Sequence, residues 1–127
     1  MNQSVMSAAN SCSAAMLKEF ECFREFAWTH GVAMCCFQFL DQFGDWEIEL
    51  AYAYRRLRLN WYGREGWLFM TTKLLRQPKG APNGWHPEWH EVARLPEDKV
   101  TSLKSSESFE AARRLLVEHL ESFKPEG

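Results

Sequence analysis

The chain has 127 residues, a length that fits one globular domain and allows a hydrophobic core without a disulfide or a structural metal. Its net charge of −2 excludes a generally basic protein drawn to nucleic acid or to an anionic membrane, so any basic site must be a local patch. No stretch approaches about 18 uninterrupted apolar residues, which excludes a membrane-spanning helix.

The cysteine pattern indicates free thiols. Cys12, Cys22, Cys35 and Cys36 form no C-x-x-C pair, and no histidine lies at zinc-finger spacing from them. The first 16 residues lack the basic start and the apolar run of a secretory signal. We therefore expect reduced thiols, a cytoplasmic protein and no cofactor. Because Cys35 and Cys36 lie inside an apolar run, we expect both to be buried and inert.

The first predicted element is a helix over residues 13–29, in a single domain predicted to span 11–124 behind a frayed segment 1–10. Four apolar side chains recur on one face of this helix: Met16, Phe20, Phe23 and Ala27. Ser11 or Ser13 would cap its start, and Gly31 would end it.

Residues 32–43 are compatible with a helix or a strand, because their apolar positions match helical spacing while VAMCCFQFL is rich in strand-forming residues. The turn-like DQFGD that follows favours a strand. The next segment, WEIELAYAY, alternates between apolar and other residues over 46–54 and predicts a second strand, with a capped helix as the rival. Its alternation changes phase near Arg55–Arg56, which predicts a bulge or bend there.

A hairpin is predicted from strands at about 56–62 and 66–75 around Gly63-Arg64-Glu65-Gly66. Both faces of its second strand are apolar, so we expect that strand to be central and covered on both sides. Residues 77–89 carry three prolines and two glycines and predict a long loop. HEVARLP then predicts a short strand.

The last predicted element is a helix over 105–123, capped by Ser105 or Ser106, supported by a Glu110–Arg114 pair and ended by Lys124-Pro125. Five apolar residues share one face of it: Phe109, Ala112, Leu116, Leu120 and Phe123. The elements together predict an α+β fold, in which an N-terminal and a C-terminal helix pack on an antiparallel β-meander of three to five strands.

Aromatic residues make up 14% of the chain and include six tryptophans, more rings than so small a core is expected to hold. The loop sequence GWHPEWHEV carries two Trp-His pairs, so Trp85, His86, Trp89 and His90 are candidate partner contacts, and Trp61 and Tyr62 join them. The alternative is that the two loop tryptophans pack on the sheet while the histidines face water. His86 and His90 could also share a metal ion or line a small-molecule site, but no third ligand has a recognisable spacing, so no metal is predicted.

A second candidate site is the segment YAYRRLRLNWYGREGW, in which arginines alternate with rings. Single-stranded nucleic acid binds such ribbons because bases stack on rings while guanidinium groups pair with phosphates. The basic residues are Arg55, Arg56, Arg58 and Arg64. The alternative is a solvated, charged sheet edge.

We expect a non-catalytic, cytoplasmic protein-binding module with a chaperone-like, inhibitor or immunity, or adaptor role. The aromatic surplus and the long tryptophan-bearing loop support binding, and no G-x-S-x-G, P-loop or G-x-G-x-x-G motif points to catalysis. The expected partner is another protein, with a homodimer as one option and no membrane contact. A single-stranded nucleic-acid binder, and a small-molecule or metal protein centred on residues 85–90, are the alternatives.

Overall fold

The computed structural model describes residues 14–40, 44–98 and 100–123, and it confirms the predicted α+β fold. Several predicted features lie outside these residues: the frayed segment 1–10, both domain boundaries, the Ser11 or Ser13 cap, most of the DQFGD turn and the helix end at Lys124-Pro125. The elements are α1 (Ala14–Thr29), β1 (Ala33–Leu40), β2 (Asp45–Tyr52), β3 (Arg55–Tyr62), β4 (Trp67–Leu74), β5 (His90–Leu95), a 3-10 turn (Ser105–Glu107) and α2 (Ser108–Phe123).

The five strands form one antiparallel sheet in the order β1-β2-β3-β4-β5, a meander in which each strand pairs with the next along the chain. The ambiguous segment 32–43 therefore contains a strand, as the turn-like sequence after it indicated. Its pairing with β2 shifts register between Met34 and Cys36, so Cys35 is the extra residue of a bulge. β5 pairs with β4 and also contains a register shift.

One face of the sheet carries the hydrophobic core, and both helices pack on it. The reason is the period of 2 in each strand, which sends alternate side chains of β2, β3 and β4 to the same side. The buried strand residues include Trp46, Ile48, Leu50, Leu57, Leu59, Trp61, Leu68 and Met70, and the helices add Phe20, Phe23, Phe109, Ala112, Leu115 and Leu116. Among the described residues, neither helix combines the length and the apolar content needed to cross a membrane.

Helix α1 ends at the predicted glycine. Gly31 adopts a φ of 77°, a conformation that glycine reaches without a steric penalty. The Val32 N–H donates to the Ala27 carbonyl at 2.9 Å and the Gly31 N–H donates to the Trp28 carbonyl at 3.0 Å, which satisfies the last carbonyls of the helix. The buried Val32 side chain then leads the chain directly into β1.

The change of phase after Tyr52 is a chain reversal, so the bulge or bend predicted near Arg55–Arg56 is wrong. Strand β2 ends at Tyr52, Ala53 and Tyr54 form the turn, and β3 begins at Arg55. Ala53 has a φ of 53°, as tight hairpin turns require at one or both central residues. The sequence concealed this turn because neither residue is one of the usual turn formers.

Strand β4 lies between β3 and β5, but the prediction that both of its faces are covered is wrong for the described residues. Leu68 and Met70 are buried under the helices. Trp67 and Phe69 point to the opposite side and remain partly exposed. An apolar second face in an antiparallel strand therefore marks a surface in this protein, not a second core.

Helix α2 is anchored to the sheet at its first turn. Trp46 Nε1 donates a hydrogen bond to Ser108 Oγ at 3.2 Å, and Ser108 Oγ donates to the Ser105 carbonyl at 2.8 Å. The helix predicted from residue 105 begins with a 3-10 turn, and Lys104 caps that turn in place of Ser105 or Ser106. The Lys104 N–H donates to Glu107 Oε1 at 3.1 Å.

The ion pair predicted on this helix also differs. Arg114 lies 3.8 Å from Glu118, the next carboxylate along the same face, instead of pairing with Glu110. Both side chains are more than half exposed, so the pair contributes little to stability.

Candidate functional site

The face of the sheet opposite the helices, called the open face below, carries charged, polar and aromatic side chains. Strand pairing forms two rows across β2, β3 and β4: Glu47, Asn60 and Phe69 in one, and Glu49, Arg58 and Thr71 in the other. A further row joins Arg56 to Lys73. The open face thus has a basic end near Lys73 and an aromatic end near the β3–β4 turn.

Arg58 is the electrostatic centre of the open face. Its Nη2 donates to Glu49 Oε1 at 3.0 Å, and its Nε lies 3.0 Å from Glu47 Oε1. The Nε–H does not point at that oxygen, so the second contact is an ion pair without an aligned hydrogen bond. All three side chains are less than one-third exposed, which protects the pairs from screening. Two carboxylates thereby neutralise one arginine.

The loop between β4 and β5 is fastened to the open face by Trp89. The Arg58 guanidinium carbon lies 4.0 Å and the Lys73 ammonium nitrogen 4.8 Å from the centroid of its ring. Cations at these distances are attracted to the indole face. Trp89 is half-buried against the sheet. The interpretation in which the loop tryptophans pack on the sheet therefore fits Trp89 better than the interpretation in which it is an exposed contact.

The other predicted loop residues lie around the end of the sheet. Trp85 is half-buried, while His86 and His90 are exposed, and all three line a pocket of about 380 Å³ that also includes Arg55. His86 Nε2 lies 2.9 Å from Glu88 Oε1. Within the ranges that the structure describes, no three potential ligands of the histidine, cysteine or carboxylate type lie together as a metal site.

Three rings form a cluster at the aromatic end of the open face. Phe69 lies edge-to-face with Tyr62, with ring centroids 5.4 Å apart, and with Trp67 at 6.2 Å. These distances are typical of favourable aromatic pairs. The rings line a shallow cleft of about 490 Å³, called the aromatic cleft below, whose other lining residues are Asn60, Glu65, Thr71 and Glu91.

The rim of the aromatic cleft is acidic on two sides. Glu65 comes from the β3–β4 turn and Glu91 from β5, and both are exposed. Arg94 approaches from β5, with its guanidinium carbon 5.7 Å from the Trp67 ring centroid. Flat rings with carboxylates beside them can hold an apolar side chain that ends in a positive charge.

Of the predicted contact residues on β3, Tyr62 is 40% exposed and belongs to the aromatic cleft. The prediction that Trp61 contacts a partner is wrong, because Trp61 is 1% exposed and packs under the helices. Adjacent strand residues point to opposite faces, so only one of these two rings could be available. Sequence reasoning missed Phe69 and placed Trp67 only among the rings of the basic segment; the signal was the apolar second face of β4, which was interpreted as a core face.

The four arginines of the predicted basic ribbon do not form one patch. Arg55 lies on the helix side of the sheet, where its guanidinium carbon is 4.9 Å from the Phe123 ring centroid. Arg56 and Arg58 lie on the open face, and Arg64 lies in the turn at the far end of β3. The alternation of the strand separates these side chains although they are close in sequence.

The prediction that Cys35 and Cys36 are buried is wrong. Cys22, Cys35 and Cys36 are free and exposed. Cys36 lies beside Glu49 on the open face. Partial burial of the thiol raises the pKa of Cys36, and the Glu49 carboxylate raises it further because a thiolate would be repelled.

We expect Cys36 to react slowly with iodoacetamide near pH 8, because a raised pKa leaves less thiolate. Peptide mass spectrometry over a pH series measures the rate at this cysteine. The rate for Cys36 should rise only at a pH above the ordinary thiol range. Replacing Glu49 with Gln should move the Cys36 profile toward lower pH, and an unchanged profile would contradict the assigned cause.

No family model, curated protein or solved structure matches the chain. Function is therefore argued from the geometry of the open face.

Proposed function

We propose that this protein is a non-catalytic protein-binding module whose aromatic cleft receives a side chain of its partner. The observation that carries the proposal is the half-exposed Tyr62–Phe69–Trp67 cluster on the open face. Tyrosine and tryptophan are frequent energetic centres of protein interfaces. Chaperone-like, inhibitor or immunity, and adaptor roles would all use such a surface.

The chemistry of the cleft favours a basic side chain of the partner. The rings attract a cation, Glu65 and Glu91 supply opposite charge, and the aliphatic stem of lysine or arginine would pack on the indole of Trp67. Asn60 and Thr71 add hydrogen-bonding groups at the floor. Because the rings stand on β3 and β4, little conformational entropy is lost when a ligand binds them.

The same electrostatics weigh against single-stranded nucleic acid. Phosphates would meet Glu65 and Glu91 at the rings, where base stacking would have to occur. Arg58 is neutralised by two carboxylates, and Arg55 faces the other side of the sheet. A nucleic-acid site needs a continuous row of rings and cations; Arg94 lies against Trp67, but Arg56 and Lys73 stand at the opposite end of the open face.

A cytoplasmic location is part of the proposal. Three free, exposed cysteines within the described residues fit a compartment that keeps thiols reduced.

The proposal is tested by capturing partners from native cell extract on immobilised wild-type protein and on the double variant Trp67→Ala/Phe69→Ala. We expect a discrete partner that wild type retains and that the double variant recovers roughly tenfold less, because two ring contacts are removed. The expected partner interaction weakens at high salt, since the rim is charged.

Tyr54→Ala is the matched control, because Tyr54 is an exposed ring (56%) outside the aromatic cleft. It should capture as much partner as wild type. Equal capture of the partner by wild type and both variants would contradict the proposal. Loss of the captured material after ribonuclease or deoxyribonuclease treatment would favour the nucleic-acid alternative. Circular dichroism confirms that each variant is folded.

A further inference from the structure

The pocket under the loop between β4 and β5, called the loop pocket below, lies on the helix side of the sheet. Strand pairing places Arg55 beside Leu74 and His90 beside Thr72, and Thr72 points to the buried side. Arg55 also contacts Phe123, the last residue of α2. The loop pocket has a volume of about 380 Å³, near the lower end of the range for small-molecule sites. It is therefore large enough for a small organic ligand.

Arg55 brings a positive charge into the loop pocket without a carboxylate beside it. In the part of the chain that the structure describes, no ion pair involves this residue. Its guanidinium carbon lies 4.9 Å from the Phe123 ring centroid, a contact that supplies no oxygen acceptor for the guanidinium N–H groups. Arg58, by contrast, is neutralised by two carboxylates. Arg55 is therefore able to receive an anionic group of a ligand.

The Glu88 carboxylate in the lining of the loop pocket is paired with His86 and not with Arg55. His86 Nε2 lies 2.9 Å from Glu88 Oε1, and His86 Nδ1 lies 3.3 Å from the Gly84 carbonyl oxygen. Both neighbours are hydrogen-bond acceptors, so a ring protonated on both nitrogens satisfies both contacts. The Glu88 charge is then matched by His86, and the Arg55 charge remains for a ligand. His90 adds a further imidazole to the lining.

The apolar wall of the loop pocket is held in place by the loop itself. Trp85 and Leu74 line the pocket, and both are half-buried. The Trp85 N–H donates to the Pro82 carbonyl at 3.2 Å in a β-turn, and Gly84 adopts a φ of 82°, which glycine reaches without a steric penalty. Trp89 fastens the end of the loop through its contacts with the cations of the open face. Because the wall is already in position, a ligand loses less free energy in ordering it.

We propose that the loop pocket binds a small aromatic anion, with its carboxylate or phosphate group on Arg55 and its ring against Trp85. The planar guanidinium matches the oxygen geometry of both anionic groups, and His90 stands in the same lining as a second donor. The indole and the Leu74 side chain contact the apolar body of the ligand. The loop pocket is on the opposite side of the sheet from the aromatic cleft, so this site is separate from the surface proposed to bind a protein.

Titration of the full chain with three matched compounds, followed by nuclear magnetic resonance, tests the site. The compounds are 2-naphthoate, 2-naphthyl phosphate and the uncharged 2-naphthalenemethanol. At least one anion should shift the Trp85 indole signal and the His90 amide signal, with a Kd on the order of 0.1–1 mM for a ligand of this size. The alcohol should bind at least about tenfold more weakly, because it lacks the charge-assisted hydrogen bonds. The tighter of the two anions identifies the head group.

Two variants separate the roles of charge and ring. Arg55→Gln should weaken binding of the anion about tenfold or more and leave binding of the alcohol unchanged, whereas Trp85→Ala should weaken both. Arg76→Gln is the matched control, because Arg76 also stands 4.9 Å from a ring centroid, that of Tyr54, but does not line the loop pocket. It should bind the anion as wild type does.

Three results overturn the proposal: no saturable shift with either anion, equal affinity for the alcohol, or unchanged anion binding by Arg55→Gln. The double variant Trp67→Ala/Phe69→Ala should bind the anion as tightly as wild type. Loss of binding in that variant would place the compound in the aromatic cleft and would also overturn the proposal. Since partner capture and anion titration use different variants, failure of this site and failure of the proposed function are distinguishable.

Discussion

Replacing Trp46 with alanine is expected to lower the free energy of unfolding by about 3–5 kcal/mol, the range for deleting a large buried ring. Trp46 is 1% exposed and stacks on Phe109 with ring centroids 4.7 Å apart. It also meets Phe20 edge-to-face at 6.1 Å, so it joins β2 to both helices. Since small domains have about 5–15 kcal/mol in total, this loss is a large fraction of the stability. Urea unfolding followed by circular dichroism measures the loss.

Trp46→Phe separates the ring from its hydrogen bond. Phenylalanine preserves most of the stack on Phe109 but removes the indole N–H that donates to the buried Ser108 Oγ. We expect this variant to lose about 1–3 kcal/mol, because Ser108 Oγ is left without that donor and the smaller ring leaves a gap. If Trp46→Ala lost less than Trp46→Phe, the account of this contact would be wrong.

Replacing Gly66 with alanine is expected to be the second most damaging change. Gly66 has a φ of 71°, which is unfavourable for alanine by about 1–2 kcal/mol. A Cβ atom there would also stand 2.6 Å from the Leu103 carbonyl oxygen and 2.7 Å from Ser102 Cβ. The Leu103 N–H donates to the Gly66 carbonyl at 2.8 Å, so the two segments cannot separate freely. Such overpacking adds about 1–3 kcal/mol.

Gly31→Ala is the matched control for that experiment. Gly31 also has a positive φ, 77°, but no atom lies within 4 Å of the position of its Cβ. The Gly31→Ala variant should lose only the conformational part of the free energy of unfolding, about 1–2 kcal/mol. The difference between the two variants therefore measures the energy of the steric clash at Gly66. Equal losses in urea unfolding would show that the segment of Leu103 moves aside without penalty.

The hypothesis of protein recognition depends on rings that the core does not hold. Trp46 and Trp61 are buried, but Trp28, Tyr54 and Tyr62 are 71%, 56% and 40% exposed. The exposed rings lie at separate places: Tyr62 in the aromatic cleft, Trp28 beside the β1 edge and Tyr54 in a turn. The exposed rings therefore do not form one continuous surface, and the aromatic cleft can be altered by mutation without changing Trp28 or Tyr54.

The sequence by itself determined the elements and the core. Phe20, Phe23 and Ala27 recur at helical spacing, and Trp46, Ile48 and Leu50 alternate at strand spacing, so local periodicity alone identified which side chains would be buried. The hairpin at residues 63–66 and the loop at 77–89 followed from glycine and proline positions for the same reason, since turn chemistry is local.

Only the tertiary structure decided which faces stay open. Whether the second face of β4 is covered depends on where both helices pack, and no local pattern contains that information. The same holds for Cys36, whose neighbours in sequence are apolar. Cys36 is exposed because it lies on an edge strand and, paired with Glu49, faces the open side of the sheet. The arginines of β3 were close in sequence but separated by strand alternation and by pairing with β2 carboxylates. The candidate site is made of contacts between strands, and a single sequence specifies residues far better than it specifies their distant neighbours.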